Sequence, residues 1–344
     1  LSFIKGVENL NEEDEALKLK RQRNYRQPRH RHGCLLSFII ILILLFAGGW
    51  LIWQHYNPTS HFSNLKSVSQ STSNIKQSSG TFNVLVIGSD ERKNQTDGHT
   101  DSMLLVHANL KKHQYNVLSI PRDSRIYMSG LGYTKLTSVQ SVYQAKYGAK
   151  KGVFKAVQAI SSYLNVPINY YLETNYWGFR SMVDAVDGIT MNVPFNVTLT
   201  HPWYTEDYNK VITKGKHQLG GKMVTEIVHE RDSVPGTDFG RQRLQEAALV
   251  GIINKISDPV NAFKIPALAS SMSKFLVATN MNQTDMISIG LAVKSNFDAA
   301  KQVHYLQIQG ENEDLYDDIL ENYNEEIVLP KKQLKKIIAQ DFTN

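Results

Sequence analysis

The longest apolar pattern in the chain is unbroken. Cys34 to Trp53, CLLSFIIILILLFAGGWLIW, contains no charged residue. At about 1.5 Å per residue, a helix of that length covers roughly the 30 Å hydrocarbon core of a bilayer. Lys18, Lys20, Arg21, Arg23, Arg26, Arg29 and Arg31 precede it. A basic flank stays in the cytoplasm, and the chain beyond the span is exported. The expected organisation is a cytoplasmic basic tail (1–33), one transmembrane helix (34–53) and an extracellular part held at the cell membrane. A cleaved signal peptide fits less well, because the run is long, starts late and lacks a small-x-small exit site. Residues 54–81 hold eight serines and few large apolar groups, which reads as a flexible extracellular stalk.

Beyond the stalk the period of the pattern changes. FNVLVIG (82–88) is a short β-branched run typical of a buried strand, and SMLLVHA (102–108) and YNVLSI (115–120) look like its neighbours. Val153, Val157, Ile160 and Leu164 are helically spaced within 151–164, and Pro167 stops that helix. INYYLET (168–174) reads as a strand, 176–186 as a helix closed by Gly188, and ITMNV (189–193) as another strand. Helices are predicted over 221–230 and 239–256, with further helical stretches at 262–276 and 284–294 and a strand at 303–309. Alternating strands and helices predict an α/β fold, an α-β-α sandwich around a central mixed sheet. A folded domain is expected over 82–320. The acidic stretch Glu311 to Glu321 closes it, and 321–344, with Lys331, Lys332, Lys335 and Lys336, reads as a solvated amphipathic tail.

Charge narrows the function classes. The chain has 38 Lys/Arg and 32 Asp/Glu, of which residues 1–33 hold eight and five. The exported part is therefore only mildly basic, and general nucleic-acid binding is unsupported. The single cysteine is Cys34, so the external domain forms no disulfide and relies on a packed core.

Four polar clusters sit at the ends of predicted elements: GSDER (88–92), HTDSM around Asp101, PRDS (121–124), and HERD through DFGRQRLQ (229–245). Ligands of open α/β sheets bind at strand ends, which favours one shared cleft. Each cluster alone also reads as a turn or an exposed ion pair. Together they hold more. Asp90 and Asp101 supply hard carboxylate oxygens with no accompanying cluster of His or Cys, which suits Mg²⁺ or Mn²⁺ rather than zinc. Arg92, Arg122, Arg231 and Arg241 supply forked donors for phosphate oxygens. Arg241 and Gln245 share a helix face at i,i+4 spacing, with Asp238 as the expected N-cap. This set can bind a pyrophosphate and stabilise phosphoryl transfer.

FNVLVIGSDER, TDSMLLV, LSIPRDS, YTKL, INYYLETNYWGFRSMVDAVDGITMNVPF, GKHQLGGKMVTEIVHERD and DFGRQRLQ, in that order over about Phe82 to Ile256, resemble the LytR-CpsA-Psr proteins of Gram-positive envelopes. A short cytoplasmic tail and one membrane helix before the domain also look like that family. The resemblance implies transfer of a glycopolymer from a polyprenyl-pyrophosphate carrier to a sugar hydroxyl of peptidoglycan, forming a phosphodiester in cell-wall assembly. By motif it implies Mg²⁺ at Asp90 and Asp101. It implies pyrophosphate contacts from Arg92, Arg122, Arg231, Arg241 and Gln245, with Lys135 nearby. Asp123 would pair with an arginine beside the catalytic Arg122 and Arg241. The polyprenyl tail would fill an apolar channel whose lining the sequence does not identify.

Three positions depart from the family pattern. His229 stands where the family often has an arginine, Thr137 where it often has asparagine, and Leu244, beside Arg243, where it often has a second arginine. A non-catalytic envelope-polymer-binding or regulatory protein is the alternative, but it could lose the metal carboxylates that this chain keeps. A DNA-binding attenuator is disfavoured because the cytoplasmic tail is too short to fold as a reader. A serine hydrolase is disfavoured because no G-x-S-x-G occurs.

Overall fold

The computed structural model describes residues 61–63, 65–91, 97–258, 261, 265–271, 274–294 and 297–343. The predicted tail (1–33), the predicted membrane span (34–53) and Arg92 lie outside them. Among the described residues no helix is long and apolar enough to cross a membrane.

Along the chain come β1 (Thr81–Ser89), β2 (Thr100–Asn109), β3 (Gln114–Ile120), the hairpin β4 (Arg125–Met128) and β5 (Gly132–Lys135), α1 (Ser138–Tyr147) and α2 (Ala149–Leu164). Next are β6 (Tyr170–Asn175), α3 (Tyr176–Ala185), β7 (Ile189–Val193), β8 (Val197–Thr198), β9 (Val211–Ile212), β10 (Gly215–Leu219), α4 (Gly221–His229) and α5 (Asp238–Ser257). The last part contains α6 (Ile265–Ser271), β11 (Ala278–Thr279), α7 (Gln283–Lys294), α8 (Ala299–Gln302), β12 (Val303–Gln307), β13 (Glu311–Asp317), β14 (Asn322–Val328) and α9 (Lys331–Asp341). The central sheet has the order β11-β6-β1-β2-β3-β12. It is mixed: β1–β6 and β3–β12 are parallel, and the other pairs are antiparallel.

Both faces of this sheet are covered, which explains why its strands read as nearly continuous apolar runs. Leu85, Ile87, Met103, Leu105 and Leu118 pack with Val139, Val157 and Ile160 of α1 and α2 and with Leu334 and Ile338 of α9. The alternate positions Phe82, Val84, Ala108 and Tyr170 pack with Met281 and Ala292 on the other face. A third core joins α3, β7, α4 and α5 through Val183, Ile189, Met191, Val224, Ile227, Leu244 and Ile252. The expected α/β class and central mixed sheet are present.

Three boundaries differ from those expected. Described residues of the predicted stalk belong to the domain: Phe62 is buried against Phe82 at 4.6 Å, and the Val68 N–H donates to the Ile168 carbonyl at 2.8 Å. The acidic stretch is strand β13, paired with β14. The predicted tail 321–344 is not a solvated appendage either, because Leu334, Ile338 and Phe342 of its last segment are buried in the main core. Its lysines face outward while its apolar stripe packs inward, so a charge run concealed a core helix.

Candidate functional site

The polar end of the site begins where β1 and β2 lose register. Gly88 pairs with Ser102 and Ser89 with Thr100, which leaves Asp101 as an extra residue on β2. A bulge of this kind re-aims the side chain of the unpaired residue. Gly88 permits it, since a Cβ there would stand 2.5 Å from the Ser102 hydroxyl oxygen. Asp90 follows β1 and is exposed; its Oδ1 accepts the His99 N–H at 2.6 Å. Both carboxylates therefore lie at the same end of adjacent strands.

The next strand end supplies Arg122. Its turn is fixed on several sides. Ser124 N–H and Oγ both donate to the Pro121 carbonyl, Thr137 N–H donates to the Arg122 carbonyl, and Ile327 N–H donates to the Asp123 carbonyl. The last bond comes from β14, so the C-terminal hairpin supports the site. Buried Glu326 and Asp317 of the same hairpin accept from Arg125 (2.6 Å) and Thr134 (2.8 Å). Arg122 Nη1 donates to Asp101 Oδ1 at 2.5 Å, and its Nε lies 3.6 Å from Asp123 Oδ2. Asp123 Oδ1 is 3.5 Å from Lys135 Nζ. Burial works against the charge on Arg122, but Asp101 and Asp123 outweigh it and the net shift of its pKa is upward.

Arg241 enters from the first turn of α5 and is only 6% exposed. Its Nη2 donates to the Asp101 carbonyl at 3.0 Å and lies 2.6 Å from Asp238 Oδ1. Asp238 is the first residue of α5 and Thr237 is the N-cap; the cap expected at Asp238 is displaced by one position. An acid in the first turn still suits the helix dipole. Burial is the main influence on Arg241 and holds its pKa below the ordinary value, with Asp238 opposing. A guanidinium stays charged through such a shift.

The Nε–H groups of both Arg122 and Arg241 are buried and have no hydrogen-bond partner among the described residues. Leaving a buried polar donor unpaired costs about 1–3 kcal/mol, and more for a charged group. The Arg122 Nε–H faces Asp123 at 3.6 Å, outside hydrogen-bond reach.

Asp101 and Arg241 stand at one end of a cavity between the sheet and helices α3, α4 and α5, and Arg122 is joined to it through Asp101. Asp101, Arg241, Gln245 and His229 line its polar part; Val86, Leu104, Leu172, Phe179, Met182, Val228 and Leu249 line the rest. These apolar positions read as ordinary core in the sequence, and no linear signal marks them as a cavity wall. A larger, polar cleft of about 540 Å³ lies on the opposite face of α5 against 230 Å³ for this cavity, so volume does not identify the site. A mainly apolar pocket with a few convergent polar groups does.

His229 keeps part of its surface open to the cavity although protein surrounds it closely. Its Nδ1 is 3.0 Å from the Thr225 carbonyl, which can only accept, so Nδ1 carries the proton. Burial chiefly holds its imidazole below the ordinary range, and Arg241 adds to this. His229 therefore is no permanent cation in place of arginine. Arg231 is not brought to the cavity: its side chain is 54% exposed and its Nε lies 3.5 Å from Asp232. Arg243 turns to the other face of α5, over Phe195 at 5.4 Å, and does not replace the arginine missing at the fully buried Leu244.

The donor set at Asp90 and Asp101 consists of hard oxygens, and no group of three or more His, Cys, Asp or Glu converges among the described residues. Hard carboxylate oxygens completed by substrate phosphates and water are of the kind Mg²⁺ takes, and here Asp101 Oδ1 also accepts from Arg122.

The LytR_cpsA_psr family model matches residues 52–341. A relative in Bacillus anthracis (strain CDC 684 / NRRL 3495), polyisoprenyl-teichoic acid–peptidoglycan teichoic acid transferase TagU, is 29% identical over 289 residues, covering 81% of this chain and 88% of its own. The crystal structure of B. subtilis TagV is similar with a TM-score of 0.61 at 24% identity, covering 75% of this chain and 94% of that one. A Listeria innocua structure is similar with a TM-score of 0.58 at 26% identity, covering 75% and 95%.

Proposed function

The chain belongs to the LytR-CpsA-Psr family, and we propose that it transfers a glycopolymer phosphate from a polyprenyl-pyrophosphate carrier to a sugar hydroxyl of peptidoglycan. The observation that carries this reading is the convergence of Asp101, Arg241 and Gln245 at the polar end of an apolar cavity, with Arg122 bound to Asp101. The name of the TagU relative supports the same substrate classes. In this reading the polyprenyl tail lies along Val86, Leu104 and Leu172, and the pyrophosphate meets Arg122, Arg241 and Gln245. The acceptor oxygen bonds to the sugar-bearing phosphorus as the bridging P–O bond breaks. The polyprenyl phosphate leaves with the electron pair, and the hydroxyl proton is released. Negative charge grows on the leaving phosphate, so fixed guanidinium donors stabilise the transition state more than the neutral acceptor. Asp123 holds Arg122 and Lys135 in place. A bound Mg²⁺ or Mn²⁺, held by Asp90 and Asp101, would neutralise pyrophosphate oxygens. The reading includes an external domain anchored by the 34–53 span, where lipid carrier and wall meet.

The test is transfer by the full chain in detergent, using a lipid-linked glycopolymer labelled at its sugar-side phosphate and peptidoglycan as acceptor. Label joined to peptidoglycan through a phosphodiester, lost with chelator and regained with Mg²⁺, is the expected result. Binding of the lipid with no transfer under any metal condition would replace the enzyme by a polymer-binding protein. Full transfer in excess chelator would remove the metal assignment alone.

A further inference from the structure

Next to the cavity the surface carries a cluster of aromatic rings. Tyr176 is part of the cavity wall and stacks on Trp203, with ring centroids 4.8 Å apart and planes at 22°. Trp177 meets both edge-on, at 5.1 Å from Tyr176 and 6.1 Å from Trp203. Large rings of this kind are normally buried, yet Trp177 is 40% and Trp203 47% exposed.

The cluster is held rigidly. Buried Glu226 of α4 accepts the Trp203 backbone N–H at 2.8 Å and the Tyr176 hydroxyl at 3.3 Å. His229, also on the cavity wall, lies 5.4 Å from the Tyr176 ring. An exposed aromatic patch joined to a cavity through a shared residue marks a ligand surface rather than scattered exposure.

We infer that Trp177 and Trp203, backed by Tyr176, form a stacking platform for the pyranose rings attached to the donor's pyrophosphate. The inference rests on the proposed transfer reading. Two observations select a sugar. The first is continuity. Tyr176 belongs both to the cavity wall and to the ring cluster, so a donor with its tail in the cavity would bring its first sugars beside the rings. The second is charge. Among the described residues, the two cations set against neighbouring Tyr204 each have a carboxylate: Arg180 with Asp184 at 3.7 Å, and Lys222 with Glu206 at 2.7 Å and Asp207 at 2.8 Å. A surface built for anionic lipid keeps an excess of free cations. A balanced rim of donors and acceptors around aromatic faces suits a neutral, hydroxyl-rich ring, whose C–H face packs on the indole.

The chain has four tryptophans, Trp50, Trp53, Trp177 and Trp203, so fluorine NMR of the 5-fluorotryptophan-labelled full chain in detergent reads the platform directly. Single Trp→Phe variants assign the four signals. Farnesyl pyrophosphate and the same lipid bearing one pyranose are the probes. The sugar-bearing lipid should move the Trp177 and Trp203 signals and bind about tenfold more tightly than the sugar-free one, the scale of one or two aromatic contacts. Trp177→Ala and Trp203→Ala should each remove most of that advantage and leave sugar-free binding unchanged, with Trp203→Phe intermediate. Equal affinity for the two lipids, with both signals still, would overturn the platform. Signals moved by a muropeptide but not by the sugar-bearing lipid would hand the surface to the acceptor, and signals moved by anionic vesicles alone would hand it to the membrane; either result overturns the assignment. Failure of the sugar-free lipid to bind would count against the pyrophosphate site instead. In that case signals that still move with the sugar-bearing lipid keep the platform, and unmoved signals end it.

Discussion

Two charged clusters lie on either side of the turn between α4 and α5, and they treat their hydrogen bonds in opposite ways. Glu230, 6% exposed, accepts from the Thr200 N–H (2.7 Å), the Thr200 hydroxyl (2.9 Å), the Asp232 N–H (2.9 Å) and the Ser233 N–H (3.1 Å). Burial pushes its carboxyl up, but these donors outweigh it and hold it below the usual range. Arg241 is buried and Arg122 half-buried beside carboxylates, and each keeps an Nε–H with no hydrogen bond among the described residues. The first cluster uses its polar capacity to close a loop. The second retains unused capacity. Unpaired capacity alone does not mark a ligand site, since Glu173 and Glu326 each keep an unpaired oxygen in the core; at the arginines it coincides with the polar end of a cavity.

The largest effect should therefore come from the arginines. Arg122→Ala and Arg241→Ala should each lower transfer by about 10²-fold or more, the scale of losing one preorganised donor. Arg122→Ala should melt near the wild-type temperature, because Asp101 and Asp123 remain 31% exposed and stay solvated. Lysine at either position should restore little, since it lacks the fork. Thermal melts alongside rates make the check, and an unfolded Arg122→Ala would put this cluster in the same class as Glu230.

Glu230→Ala should do the reverse, costing about 2–4 kcal/mol of stability by orphaning several buried donors while leaving turnover per folded molecule intact. Its folded pKa is depressed, so its contribution is present above the unfolded value near 4.5. It is lost as pH falls through the lower folded value. Denaturant melts from pH 7 downward should thus show the variant's deficit shrinking under acid. A stable but inactive Glu230→Ala would erase the contrast.

Glu173 is an intermediate case. It is fully buried on β6, with the Gln140 amide donating at 2.6 Å, and burial pushes it up to about 7. The folded pKa exceeds the unfolded one, so stability is present at low pH and falls as pH rises from 4.5 toward 7. Glu173→Gln should flatten that decline and gain up to roughly 3 kcal/mol above about pH 7. A parallel decline in both proteins would deny the shift. The smallest effect belongs to Arg231. Exposed on the rim, it reaches the site only through screened charge, and Arg231→Ala should change transfer by less than about threefold. A loss as deep as that of Arg241→Ala would make the rim part of the site.

β1, β2, β3, α2, β6, α3, β7, α4 and α5 are legible in the sequence because burial writes long apolar runs and helical spacing marks the layers between them, whereas the short strands β4, β5, β8, β9 and β10 carry no such run. Helix α1 is not legible either, since Gln140 and Gln144 are buried within it where a periodic reading wants apolar residues. The β13–β14 hairpin is hidden for a related reason. Its acidic residues look solvated, but Asp317 and Glu326 are fully buried partners of Thr134 and Arg125. At the site, Arg122, Asp123, Lys135, Arg241, Gln245 and Asp101 stand out by their motifs, and the fold brings them together. Arg231 stands out on equal terms with Arg241, because two arginines ten residues apart carry no mark of which one the turn carries inward. The bulge at Asp101 depends on strand register, and the lining of the cavity depends on which apolar side chains stop short of their neighbours. Neither property is local in sequence.

The central claim is that the Arg122 and Arg241 guanidinium groups, gathered around Asp101 at the head of the cavity, bind a pyrophosphate. A crystal structure of the full chain with a polyprenyl pyrophosphate and Mg²⁺ tests it most directly. Pyrophosphate oxygens should lie within about 3 Å of both guanidinium groups, with the tail running along Val86, Leu104 and Leu172. A pyrophosphate seated in the cleft of Lys216, Arg243 and Lys255 on the far face of α5, with neither guanidinium group in contact with it, would contradict the claim.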